Sequence, residues 1–239
     1  MSFDITVEGG TSVRLPTAGK YCDRDIVVTA TGGGCSTPAA KSLIRNGIGY
    51  IDTGVDGANS NLTIKIQYEF ISMPTTYFNL IYAYVNEQTD ATRITYNKHN
   101  YVYVCLNSVP SKSLSDTGNR YVNIVYTDTI KPESSTTFSY QGNGTKKTQT
   151  RTNGTPLSGK NILIFPASTT NDKVSVKVYS LQIFDGDTLI RDYVPFVTPS
   201  GECGMYDYVT KQFYGNDGVG SFDAEQIRAI EDYPDMCGG

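Results

Sequence analysis

The chain has no tryptophan and a single histidine in 239 residues. That scarcity excludes a zinc centre built from several histidines. His99 itself stands in Asn97-Lys98-His99-Asn100, which reads as a solvated hairpin tip rather than as a general base. Glutamate is also scarce, at positions 8, 69, 87, 133, 202, 225 and 231. No two of these lie two or four residues apart on one strand, so none forms the carboxylate pair about 5–10 Å apart that glycoside hydrolysis needs. Asp185 and Asp187 have that spacing, but they flank Gly186, and turn formation explains them. There is no G-x-S-x-G nucleophile elbow, and Gly32-Gly33-Gly34 lacks the Lys-Ser/Thr of a phosphate-binding loop. An enzyme is not expected.

Positive charge is equally thin. The net charge is −4, the pI is near 5.0, and no basic run exceeds Lys146-Lys147, which argues against a nucleic-acid partner. No apolar stretch approaches the roughly 18–20 residues of a membrane span. MSFDITVEGG has neither a cationic start nor an apolar core, so no secretory signal is expected and synthesis is assigned to the cytoplasm. The five cysteines include no C-x-x-C pair, which suggests neither a zinc knuckle nor a disulfide framework. Free thiols are expected, with a Cys203–Cys237 bridge left open.

What the chain does have is 23 Gly and 18 Tyr, many Thr and Ser, and only 18% charged residues. This composition favours strands and turns over helices. Residues 1–33 read as a small β module with a turn at Gly9-Gly10, too short to bury an adequate core alone. Residues 34–41 read as a Gly/Ser/Pro linker. Residues 42–222 carry short alternating runs at the spacing of an antiparallel β-sandwich: Leu62–Phe70, Tyr77–Val85, Ala91–Tyr96, Tyr101–Leu106, Tyr121–Thr127, Thr136–Tyr140, Lys146–Arg151 and Asn161–Phe165. Asp185-Gly186-Asp187 turns one late hairpin and a shorter one follows, while the apolar phase slips at Val178-Tyr179 as a bulge would make it. Residues 223–239 read as a short helix and tail, capped by Asp223 and stopped by Pro234.

Two motifs carry a resemblance. Gly49-Tyr50-Ile51-Asp52-Thr53-Gly54 resembles the opening strand, and IFDGDTLIRDYVP…GECGMYDYVTKQFY the closing hairpins, of laminin-G-like, concanavalin A-like jelly-roll domains in phage and prophage proteins of gut bacteria. The segment ITVEGGTSVRLPTAGKYCDRDIVVTATGGG resembles leader modules at the front of phage tail and head-associated proteins. The resemblance covers about three-quarters of the chain. It implies a virion-surface protein fastened to other virion proteins through residues 1–33, trimeric in the manner of fibres and adhesins, whose lectin-like sandwich meets host-surface or mucin glycans. Alternatives are a structural capsid decoration or fibre, whose sandwich mainly contacts proteins, and an atypical glycan hydrolase.

Candidate binding residues follow from strand alternation. Tyr101 and Tyr103 oppose Val102, Val104 and Leu106. Phe78, Leu80, Tyr82 and Tyr84 are expected to share one face. Exposed, the pairs Tyr82–Tyr84 and Tyr101–Tyr103 make a stacking platform for sugar rings; covered, they are ordinary cross-strand or core contacts. Related lectin-like domains often hold calcium through loop carboxylates, and Asp52, Asp56 and Asn59 offer oxygens here; Asx-turn formation explains those residues equally well.

Overall fold

In the computed structural model the chain is described from Ala40 to Gln226, apart from residues 87–88, 100, 111–112, 118–119, 143–145, 153, 156, 158, 167–173 and 199–200. The expected attachment module and residues 227–239 lie outside the described residues.

Alternating sequence becomes strand where one of its faces can be buried. In β3 (Leu62–Phe70) the residues Leu62, Ile64, Ile66, Tyr68 and Phe70 are all fully buried, as their spacing requires. This strand lies between β8 (Val125–Ser134) and β12 (Val176–Asp185). Beyond β12 come β13 (Thr188–Val197), β14 (Cys203–Asp207) and β15 (Gln212–Tyr214); beyond β8 come β9 (Thr137–Gln141) and β10 (Lys147–Thr150). β1 (Ala40–Ile48) pairs with β12 and with β16 (Val219–Gln226), completing a ten-stranded sheet. The second sheet has six strands in the order β2 (Ile51–Asp56), β11 (Asn161–Ile164), β4 (Phe78–Ala83), β5 (Ala91–Tyr96), β6 (Tyr101–Ser108) and β7 (Leu114–Thr117).

These strand pairs are antiparallel, and several join distant parts of the sequence: β1 with β16, β3 with β12, β2 with β11. The early and late strands are thus wound together, the wrapping of a jelly-roll sandwich. One continuous apolar core fills the space between the sheets. Each fully buried Leu, Ile or Phe there contributes about 1.5–3 kcal/mol.

A charged group sits inside that core. Arg120 and Asp128, 1% and 0% exposed, are paired at 2.6 Å. Arg120 also donates to the hydroxyls of Tyr68 and Tyr140, both at 2.9 Å, and Tyr68 and Tyr96 both donate to Asp128 Oδ2. The guanidinium lies 4.5 Å over the ring of Tyr126. Tyr96 is on the six-stranded sheet and the other tyrosines and Asp128 are on the ten-stranded one, so this network ties the two layers together. Burial holds the phenols of Tyr68 and Tyr96 well above their ordinary titration range, the negative charge of Asp128 adding to the effect.

Some expectations change. Asp223–Gln226 are not the start of a helix but the end of β16, and no α-helix occurs among the described residues. Asp223, Ala224 and Glu225 pair with Ile44, Leu43 and Ser42, and Glu225 accepts a hydrogen bond from Lys177 at 3.0 Å. A waiting strand outweighs a local capping signal. β1 occupies residues 40–48, including the end of the expected linker. β8 runs over Val125–Ser134 rather than 121–127, because the inward Asp128 disguises the apolar alternation and Pro132 argues against a strand. The predicted bulge is present: the register of β12 against β3 shifts between Val178 and Ser180. Cys105 and Cys203 are free thiols.

Candidate functional site

The motif Tyr50–Gly54 is not a plain strand. Asn161 pairs with Asp56 and Leu163 with Asp52, so β2 bulges between them. Gly54 has φ +64°, a left-handed conformation that glycine takes without a Cβ penalty. Asp52 Oδ1 accepts from the Gly54 amide at 2.8 Å, and Thr53 Oγ1 donates to the Ile162 carbonyl at 2.7 Å. The closing motif holds this bulge from the other sheet. Tyr193 donates to the Thr53 carbonyl at 2.9 Å, Arg191 donates to the same oxygen at 3.3 Å, and Arg191 lies 3.5 Å from buried Asp207. The loop 215–218 braces the near end: Tyr50 N–H donates to Asn216 Oδ1 at 3.0 Å, and a Cβ on Gly218 would come 2.9 Å from the Ile48 carbonyl. The two motifs therefore meet in space and fix the direction in which Asp52 points.

Asp52 borders a groove of about 360 Å³ on the outer face of the six-stranded sheet, with Tyr50, Tyr82, Tyr84, Lys160 and Asn161. Asn161 Nδ2 donates to Asp52 Oδ2 at 3.1 Å. The rings of Tyr82 and Tyr84 lie 5.3 Å apart, tilted by 58°, and both are half-buried. Desolvation raises the Tyr82 phenol to about 12, against a lowering effect of Arg93, its cross-strand neighbour. At neutral pH it is an O–H group, able to donate or accept. The groove thus offers two aromatic faces, a carboxylate, an amide and an ammonium, the mixture that stacks on a sugar ring and bonds its hydroxyls.

Tyr82 and Tyr84 reach this face by a device alternation alone does not reveal. Phe78 pairs with Tyr96 and Ile81 with Ile94, with a register shift between Asn79 and Ile81. Leu80 is the extra, buried residue, so Tyr82 faces away from Phe78 rather than sharing its face. Tyr103 and Tyr101 do oppose the buried Val102, Val104 and Leu106. They lie on the same outer face as Tyr82, but β5 intervenes, and Tyr103 packs 6.2 Å from Tyr77 instead. The four tyrosines form two separate sets, and only Tyr82–Tyr84 borders the groove.

Asp56 and Asn59 each cap a turn, accepting from the amides of Ala58 and Asn61 at 2.9 Å. Among the described residues no group of three or more His, Cys, Asp or Glu side chains is gathered as a metal ion would require. His99 is exposed at the β5–β6 tip. Two carboxylates do converge across strands, where a search along single strands could not find them: Glu69 and Glu225 lie 3.9 and 3.0 Å from Lys177 Nζ. The ammonium sits between them, and Tyr179 donates to Glu69 at 2.5 Å.

A second cleft, of about 440 Å³, is lined by Ser60, Asn61, Asn107, Glu133, Ser134 and Arg151 among others. Glu133 accepts from Lys146 and from Ser139, each at 2.6 Å, and the Lys146 bond first among these holds its carboxyl down at about 2.

No protein-family model and no curated protein matches this chain. Solved structures share its outline in part. The carbohydrate-binding module of a Ruminococcus gnavus sialidase, bound to α2,3-sialyllactose, is 14% identical at a TM-score of 0.42, covering 59% of this chain and 91% of its own. A heptameric SAP-like pentraxin from Limulus polyphemus is 13% identical at 0.45, covering 63% and 78%. A glycosyl hydrolase family protein from Mycobacterium fortuitum is 8% identical at 0.34, covering 53% and 64%.

Proposed function

We propose that the sandwich is a non-enzymatic glycan-binding module and that the Tyr82–Tyr84 groove is its binding face. The observation that carries this reading is the placement of two adjacent half-buried tyrosines beside Asp52, Lys160 and Asn161. One sugar ring stacks on the tyrosine pair while its hydroxyls bond the Asp52–Asn161 carboxylate–amide pair. The bulge in β2, held by Arg191 and Tyr193, fixes that pair before any ligand arrives, which reduces the ordering cost of binding. The sequence resemblance supports a virion-surface setting, with residues 1–33 fastening a trimer to a phage particle and the sandwich facing host or mucosal glycans.

A second reading has its own observation. Ile71, Tyr121, Val122, Ile124 and Val125 are 38–58% exposed, and Val122 bridges to Phe70 beside Ile71, an apolar surface suited to protein contact. A capsid decoration would use it. Binding of the labelled full chain to purified mucin and to intact bacterial cells separates the two. The glycan reading predicts saturable binding that free sugar competes away and that Tyr82→Ala weakens. Binding that no sugar displaces, or none at all, moves the function to structural decoration.

A further inference from the structure

Arg151 closes the cleft beyond β10, and its environment is unlike that of a structural arginine. It is 7% exposed. Its Nη1 donates to the Ser60 carbonyl at 2.8 Å, which fixes the plane of the guanidinium. Nε and Nη2 are buried and make no hydrogen bond. Those two atoms form the side-on edge of a guanidinium, whose parallel N–H bonds match the two oxygens of a carboxylate. Leaving such an edge buried and unmatched costs far more than leaving it in water.

A second orphan lines the same cleft. Asn107 donates through Nδ2 to the Ala58 carbonyl at 2.8 Å, while its buried Oδ1 accepts nothing. An unmatched donor pair and an unmatched acceptor in one cleft define a complementary ligand: an anion with two coplanar oxygens, carrying a hydroxyl close by. The one acid on the cleft wall does not oppose this, because Glu133 is already engaged by Lys146 at 2.6 Å and has Lys131 at 3.7 Å.

We propose that this cleft is a second ligand site, in which Arg151 takes the carboxylate of an acidic sugar side-on through Nε and Nη2 and Asn107 accepts a neighbouring hydroxyl. The choice of a sugar as the carrier of the carboxylate rests on the glycan-binding reading; the carboxylate itself does not. Because the Arg151 edge is buried in the unliganded chain, binding entails a displacement of the residues that cover it. The site is separate in its residues from the tyrosine groove, so a glycan chain with acidic and neutral units has two places to bind.

The test is a titration of the full chain with sodium glucuronate, glucose and sodium sulfate, followed by amide chemical shifts. Saturable binding of glucuronate, with shifts at Ser60, Asn61 and Asn107, is expected, with no response of these three amides to glucose. Arg151→Lys keeps a positive charge but loses the two-pronged edge and should weaken glucuronate at least tenfold, with Asn107→Ala weakening it less. Tyr82→Ala should leave the glucuronate-dependent shifts at Ser60, Asn61 and Asn107 unchanged, so a failed groove and a failed cleft give different results. Equal binding of sulfate and glucuronate would overturn the sugar assignment. No shift at the cleft, or an Arg151→Lys chain that binds as well as the parent, would overturn the site.

Discussion

Three arginines lie buried among the described residues, Arg45, Arg120 and Arg151, and the surroundings of the last two could hardly differ more. Arg120 is matched on every side: Asp128 balances its charge, Tyr68 and Tyr140 receive its other donors, and Tyr126 covers its face. Burial alone would make the guanidinium easier to deprotonate, but Tyr96, Asp128, Tyr68 and Tyr140 outweigh it and hold the proton more tightly. Arg151 has one carbonyl partner, and desolvation, unopposed, lowers its affinity for the proton. A buried charge whose partners are all supplied by the fold belongs to the fold. One left half-matched at the wall of a cleft is a place for something from outside.

The difference is open to direct attack. Replacing Asp128 by alanine strands a charge in the core and should destabilise the domain by about 3–5 kcal/mol, seen as a lower urea midpoint and a fall of roughly 10 °C in Tm. Replacing Arg151 by methionine should do the reverse, leaving stability unchanged or raising it by up to about 2 kcal/mol, since it removes an unmatched buried charge of similar length. Equal losses from both variants would erase the distinction. A smaller effect tests the cleft rim. Glu133 is held at about 2 against an ordinary 4.5, so its contribution is fully present above the unfolded value and is lost as pH falls through about 2. Unfolding midpoints of Glu133→Gln should therefore vary less than those of the parent chain between about pH 4.5 and 2. A steeper dependence in the variant would show that Lys146 does not stabilise the carboxylate.

Sequence alternation reports one strand at a time, and what it reported was sound where a strand has one apolar face. The limits of β3 and β5 and the bulge at Tyr179 could all be read directly. The motifs Tyr50–Gly54 and Ile183–Tyr193 could be recognised, but not that they touch, because the contact of Tyr193 with Thr53 spans most of the chain. Asp128 points inward, and without knowledge of Arg120 it hides a strand. Tyr82 and Tyr84 were identifiable as candidates, yet their outward direction depends on Leu80 as an extra residue in β4, which no alternation rule supplies. Tyr50, Lys160 and Asn161 carried no local signal as groove residues. Arg151 stands in the sequence only as the last residue of the expected strand Lys146–Arg151, and its burial with Nε and Nη2 unmatched is what sets it apart.

Sugar recognition by the Tyr82–Tyr84 groove is tested most directly by calorimetric titration with a sugar that competes for mucin. The parent chain is set against Tyr82→Ala–Tyr84→Ala. Loss of two stacking rings, each worth about 0.5–1.5 kcal/mol beyond burial, should weaken binding at least tenfold while the urea midpoint stays near that of the parent. Unchanged affinity in a folded double variant would contradict the claim, and place sugar recognition somewhere other than this face.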